Sequence, residues 1–97
     1  MKPTRRIPLT IAALSFLPLA VQASPDLDTL TTTRAAADLC AGKYSSEALV
    51  RAMLERAHAR ADLNAFITLD DTGAVSAARA IDASRTVGSC RPLEGVP

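Results

Sequence analysis

Ser45-Ser46-Glu47-Ala48-Leu49-Val50-Arg51-Ala52-Met53-Leu54-Glu55-Arg56-Ala57-His58-Ala59-Arg60 is the stretch that decides the fold. Leu49, Val50, Met53, Leu54 and Ala57 recur at helical spacing, and Arg51, Glu55, Arg56 and Arg60 lie off that stripe. Such a pattern is an amphipathic helix with one face turned to a core. Ser45 and Ser46 supply hydroxyls where a helix begins, and Glu47 sits in the first turn, where the backbone dipole favours an anion. The helix is expected over about Ser46 to Arg60. Glu47–Arg51 and Glu55–Arg51 are candidate ion pairs along it.

On its N-terminal side, Thr31-Thr32-Thr33 offers hydroxyl caps to an alanine-rich helix over Arg34 to Ala41. Gly42 then fits the left-handed position that closes a helix. On the C-terminal side, Ala65-Phe66-Ile67-Thr68-Leu69 reads as a short strand between Asn64 and Asp70-Asp71. Asp71 or Thr72 can cap a third helix, with Ala74, Ala78 and Ile81 on its apolar face and Val87-Gly88 at its end. The expected order is helix, helix, strand, helix, with Glu94 to Pro97 as the possible edge of another strand. A single strand leaves its backbone groups without partners.

Residues 1–23 carry a different pattern. Lys2, Arg5 and Arg6 precede an uncharged, mostly apolar run from Ile7 to Val21, and Val21-Gln22-Ala23 places small or modest residues before Ser24. This is the layout of a secretory signal cleaved after Ala23, so a periplasmic or secreted location is expected. The run is short for a bilayer span and contains Pro8 and Pro18, which disfavours a permanent anchor. Contact with the membrane is therefore expected only in transit. Arg5-Arg6 fits a twin-arginine signal loosely, and ordinary n-region charge is the plainer reading.

The 97 residues hold 11 Lys+Arg and 10 Asp+Glu. Removing the signal leaves eight basic and ten acidic residues, which argues against a nucleic-acid partner and against a charge-driven disordered chain. From Ser24 onward there are 17 large apolar side chains and 15 alanines, a thin core for an independent domain.

Residues with catalytic chemistry are sparse. His58 is the single histidine, lies beside the apolar stripe, and has no acid positioned by the sequence to orient it, so an exposed surface role is expected. The four glycines are scattered, so no phosphate-cradling loop occurs. Asp70-Asp71 reads as a helix cap rather than a metal site. Ser45 and Ser46 read as helix-start residues, since no base accompanies them. No catalytic, cofactor-binding or metal-binding residue is assigned, and no cofactor is expected. Cys40 and Cys90 are the two cysteines. They can pair with each other, stay as separate thiols, or bridge to a cysteine further downstream.

Four segments in order resemble the N-terminal part of the amidase signature family. They are Ala41-Gly42-Lys43-Tyr44-Ser45-Ser46-Glu47-Ala48-Leu49-Val50, Leu63-Asn64-Ala65-Phe66-Ile67-Thr68-Leu69, Ala77-Ala78-Arg79-Ala80-Ile81-Asp82, and Arg91-Pro92-Leu93-Glu94-Gly95-Val96-Pro97. Each is weak alone; their order and spacing over residues 27–97 make the resemblance fairly specific. It implies an α/β amidase-signature fold of which residues 24–97 form an incomplete N-terminal part, mostly helical with one or two short strands. It also implies hydrolysis of carboxamides by a Ser–cis-Ser–Lys triad, with the lysine a few residues beyond a Gly-(Ile/Val)-Pro element and the serines further on. The last lysine here is Lys43, on the wrong side of that element, and no Gly-Gly-Ser-Ser run occurs. The resemblance therefore implies a fragment that is inactive alone, with a small amide as substrate only in a full-length protein. The alternative is a small exported helical protein that binds a partner. An intracellular amidotransferase subunit of the same family is a third reading, disfavoured by the export signal.

Overall fold

The computed structural model describes residues 23–97. The signal expected at residues 1–23 falls almost wholly outside them. Among the described residues there are three α-helices, α1 (Thr32–Cys40), α2 (Ser46–Ala59) and α3 (Asp71–Ser84), with a single 3₁₀ turn at Ala61–Leu63. No described helix is long and apolar enough to cross a membrane.

Local chemistry accounts for the helix ends. Thr31 caps α1 by accepting a hydrogen bond from the Arg34 N–H at 3.2 Å, so the helix begins two residues before the expected Arg34. It closes in a Schellman arrangement: Gly42 N–H donates to Leu39 O and Lys43 N–H to Asp38 O, both at 3.0 Å. That geometry needs the left-handed backbone Gly42 supplies, at φ 72°. Ser45 caps α2, accepting from Ala48 N–H at 3.0 Å. Asp70 caps α3 through Gly73 N–H at 2.9 Å, which leaves Asp71 in the first turn rather than at the cap. α3 stops at Ser84, because Arg85 turns extended (φ −76°, ψ 138°). The expected terminator, Gly88, instead takes φ 81° within a tight turn in which Ser89 N–H donates to Thr86 O at 3.1 Å.

The expected strand at Ala65–Leu69 does not form. This segment carries no ladder, bends at Ile67, and leaves Phe66 and Ile67 exposed. Its apolar, strand-prone residues lack an adjacent edge among the described residues, and one unpaired strand has no hydrogen-bonded reason to persist. Glu94 to Pro97 forms no strand either; Arg91 to Glu94 is a turn in which Glu94 N–H donates to Arg91 O at 3.2 Å.

The core is small. Ala35, Leu39, Tyr44 and Leu49 are buried together, and Leu27, Leu30 and Val96 pack against them. Residues from before α1 and from the far C-terminal end thus close over the α1–α2 corner. α2 and α3 pack against one another, with Val50 and Ala78 buried. Met53, expected on the core stripe, is 43% exposed.

Candidate functional site

The start of α2 is the best-built polar site among the described residues. The first N–H groups of a helix have no partner within it. Here Ser46 N–H and Glu47 N–H donate to the two carboxylate oxygens of Asp82, at 2.8 and 2.9 Å. Ala48 N–H is taken by Ser45. Leu49 N–H begins the helical ladder by donating to Ser45 O at 3.1 Å. Every donor of the first turn is therefore satisfied, and Asp82 brings negative charge to the positive end of the helix dipole. Asp82 in turn accepts from Arg85 Nη2 at 3.0 Å, and the Arg85 side chain is only 7% exposed.

This cradle holds a second segment. Ser46 is fully buried, and its hydroxyl donates to Gly95 O at 3.0 Å. Arg85 Nη1 approaches the same hydroxyl oxygen at 3.5 Å. Gly95 adopts φ 85°, and a Cβ placed on it would lie 2.0 Å from Ser46 Oγ. Only glycine fits there. The result is a seat formed by α2 and α3 for the backbone at Gly95, with Val96 N–H donating to Leu93 O at 3.1 Å beside it. The serines are thus helix-start residues, as expected. A serine hydroxyl that donates to a carbonyl and faces a guanidinium lacks the base a nucleophile needs, so Ser46 is structural.

Glu47 ties the outer side of this corner together, bonded to Arg51 Nε at 2.8 Å and Arg79 Nη2 at 2.9 Å. These contacts, Arg79 first, hold its carboxyl down to about 2. The expected Glu47–Arg51 pair is present, and Arg51 pairs with Glu47 rather than with Glu55. On α1, Asp38 accepts from Lys43 Nζ at 2.7 Å and Arg34 Nε at 3.1 Å, and Lys43 chiefly lowers its pKa. Burial pushes the neighbouring Tyr44 phenol up.

His58 departs from expectation in one respect. It is exposed, as predicted, but an acid does meet it: Asp71 Oδ2 lies 2.6 Å from His58 Nε2. The pair pins the end of α2 to the start of α3. Asp71 reaches it because the capping is done by Asp70, leaving the second carboxylate of the pair free to turn outward. Among the described residues no group of three or more His, Cys, Asp and Glu side chains is placed to hold a metal ion.

Cys40 and Cys90 form a disulfide with Cα atoms 5.8 Å apart, which selects one of the three thiol arrangements left open by the sequence. A separate apolar groove of about 420 Å³ is lined by Leu27, Leu30, Met53, Ala57, Leu63 and Phe66, with Arg56 and Arg60 at its edge.

Of this seat, Asp82 ends the third segment quoted above without being given a role, and Arg85 lies outside all four segments. A signal for them is present all the same: Ala78, Asp82 and Arg85 fall at i, i+4 and i+7, so an opposite-charge pair continues the buried face of α3. Charges in such a stripe are rarely buried unless paired.

No family model matches the chain, and no solved structure matches it. Curated relatives do. Over 69 residues the chain is 46% identical to the A-type subunit of glutamyl-tRNA(Gln) amidotransferase from Salinibacter ruber, covering 70% of this chain and 13% of that protein. The subunit of the same name from Aromatoleum aromaticum is 49% identical over 69 residues, covering 70% and 14%. That from Myxococcus xanthus is 45% identical over 73 residues, covering 73% and 15%. The chain thus spans about 13–15% of the length of these relatives. Over the part that matches them, the chain is similar to these members of the amidase signature family.

Proposed function

We propose that this chain is the N-terminal part of an exported amidase, a hydrolase of carboxamide C–N bonds, and that its own task is to seat the backbone at Gly95-Val96-Pro97. The observation that carries this reading is the buried Ser46 hydroxyl on Gly95 O. Three segments distant in sequence converge to fix the direction of the chain at the element that, by resemblance, leads to a catalytic lysine. In such an enzyme a neutral lysine and a bridging serine relay the proton from the attacking serine hydroxyl, and backbone N–H groups hold the oxyanion. The last lysine of this sequence is Lys43, before that element, and no Gly-Gly-Ser-Ser run occurs, so on this reading the 97-residue chain is inactive by itself.

Export is supported by the pattern at residues 1–23 and by the Cys40–Cys90 disulfide, since disulfides persist in oxidising compartments. The relatives named above are, by their names, amidotransferase subunits for glutamyl-tRNA(Gln). With residues 1–23 removed, eight basic and ten acidic residues remain, a balance that suits a small amide better than a tRNA-bound substrate.

The test is to read the coding sequence beyond Pro97 and assay the product. An in-frame Lys-Asp soon after Pro97, followed by a Gly/Ser-rich stretch, predicts a protein that releases ammonia from carboxamides while the 97-residue chain does not. A stop codon there, or a continued protein without amidase activity, overturns the reading. The alternative is then a small exported binding protein, for which the apolar groove lined by Leu27, Met53 and Phe66 is the specific support.

A further inference from the structure

The Cys40–Cys90 disulfide stands apart from everything else that holds the fold. Cys40 is the last residue of α1, and Cys90 lies in the segment between α3 and the Gly95 seat. The core of Ala35, Leu39, Tyr44 and Leu49 does not include either cysteine, and neither does the Ser46–Asp82–Arg85 cradle. Between Thr86 and Leu93 every residue except Cys90 is exposed. Apart from the disulfide, this segment is tied to α1 by one backbone hydrogen bond, Gly88 N–H to Cys40 O at 2.9 Å, and by Val87 lying over Gly42. Its C-terminal end is fixed separately, by Gly95 on Ser46 and by Val96 against the core. Both cysteines are partly exposed, so a small dithiol can reach the bond.

We propose that the Cys40–Cys90 disulfide is a redox-sensitive clamp on residues 86–94, whose reduction frees this segment from α1 while the helices and the Gly95 seat stay in place. The step balances as thiol–disulfide exchange. One thiolate of a dithiol attacks a cysteine sulfur, the S–S bond breaks, and the second thiol of the reductant displaces the remaining cysteine as its own disulfide closes. Two electrons and two protons pass to Cys40 and Cys90. Oxidation state then decides whether the approach to Gly95 is held at both ends or at one. The clamp follows from where the bond sits in the fold and stands independently of the amidase reading.

Hydrogen–deuterium exchange on the full oxidised chain, with and without dithiothreitol, tests it, with alkylation and mass measurement confirming two new thiols. The expected result is a rise of about ten-fold or more in exchange for residues 86–94, Gly88 above all, with no change across α2 and α3. Unchanged exchange in 86–94 overturns the proposal, because the turn would then be held by its own contacts. Loss of protection in α2 and α3 also overturns it, since the bond would then be a staple of the whole fold. The Cys40→Ser/Cys90→Ser double variant should show the released pattern at 86–94 without reductant and no response to it. A variant whose helices exchange freely gives the same refutation as a global staple.

Discussion

Replacing Asp82 with alanine should cost more than any other single loss of a helix cap in this chain. Its carboxylate accepts from Ser46 N–H at 2.8 Å, Glu47 N–H at 2.9 Å and Arg85 Nη2 at 3.0 Å. A hydrogen bond to a charged group is worth about 1.5–3 kcal/mol. Asp82 is 21% exposed, so water re-enters and recovers part of the two backbone bonds. Arg85, at 7% exposure, recovers little and is left as a poorly solvated charge, a situation that costs about 3–5 kcal/mol when fully buried. These overlapping losses point to about 3 kcal/mol in all, taking the partial exposure of Asp82 into account. For a domain of this size that lowers the melting temperature by about 12–24 °C. The comparison is Asp70→Ala, which removes one exposed cap bond to Gly73 N–H and should cost about 1 kcal/mol. Thermal unfolding of the oxidised protein, followed by circular dichroism in the far ultraviolet, reads both. Adding Arg85→Met to Asp82→Ala should recover part of the loss, because no unpaired charge remains. An Asp82→Ala variant no worse than Asp70→Ala would refute this reasoning, as would a double variant that loses the full sum of the two single losses.

Three further outcomes follow from the same geometry. Gly95→Ala puts a methyl 2.0 Å from Ser46 Oγ at φ 85° and should cost about 2–3 kcal/mol, whereas Gly88→Ala, at φ 81° with open space around it, should cost about 1 kcal/mol; equal melting shifts would contradict the seat. Glu47 is held down to about 2, from an ordinary 4.5, by Arg79 and Arg51, so its contribution is fully present above pH 4.5 and is lost as pH falls towards 2. Glu47→Gln should flatten the acid limb of a stability–pH curve in that window and leave the neutral-to-alkaline slope untouched; an unchanged acid limb speaks against the pairing. Leu49→Ala, at a fully buried position, should cost about 2–4 kcal/mol in urea unfolding, against under about 1 kcal/mol for Met53→Ala, and a reversed order would mean that the stripe faces the other way.

What is legible in the sequence is what adjacent residues decide among themselves. Ser45 as a cap, Gly42 as the left-handed closer of α1 and Glu47 paired with Arg51 all depend on residues within five positions of one another. The limits of α2 are legible for the same reason, to within one residue at its end. The strand expected at Ala65–Leu69 fails because β-branched and aromatic residues express a preference that only a neighbouring strand can satisfy. The third helix is shorter than its pattern predicts, although Gly88 has the chemistry of a helix closer. Arg85 leaves the helix first, since its guanidinium serves Asp82 and approaches Ser46. The acid beside His58 is invisible in the sequence because Asp71 is 13 positions away and meets it only once α2 and α3 are packed.

The polar seat shows why its residues carry structure rather than chemistry. Ser46, Asp82, Arg85 and Gly95 combine a serine, a carboxylate, a guanidinium and a glycine, the kinds of residue found in catalytic centres. Their arrangement satisfies every group inward: the acid meets two backbone donors and a guanidinium, and the serine meets a carbonyl. A reacting centre keeps at least one of these groups unsatisfied and accessible, because transition-state stabilisation needs a donor or base not already spent in the ground state. Full satisfaction is what positioning requires instead. It converts the N-terminal turn of α2, which would otherwise need water for its donors, into a rigid anchor whose geometry is set by α3. Gly95 is held by that anchor at a backbone angle that side chains resist, so the direction in which the chain leaves the seat depends on the packing of both helices rather than on local preference.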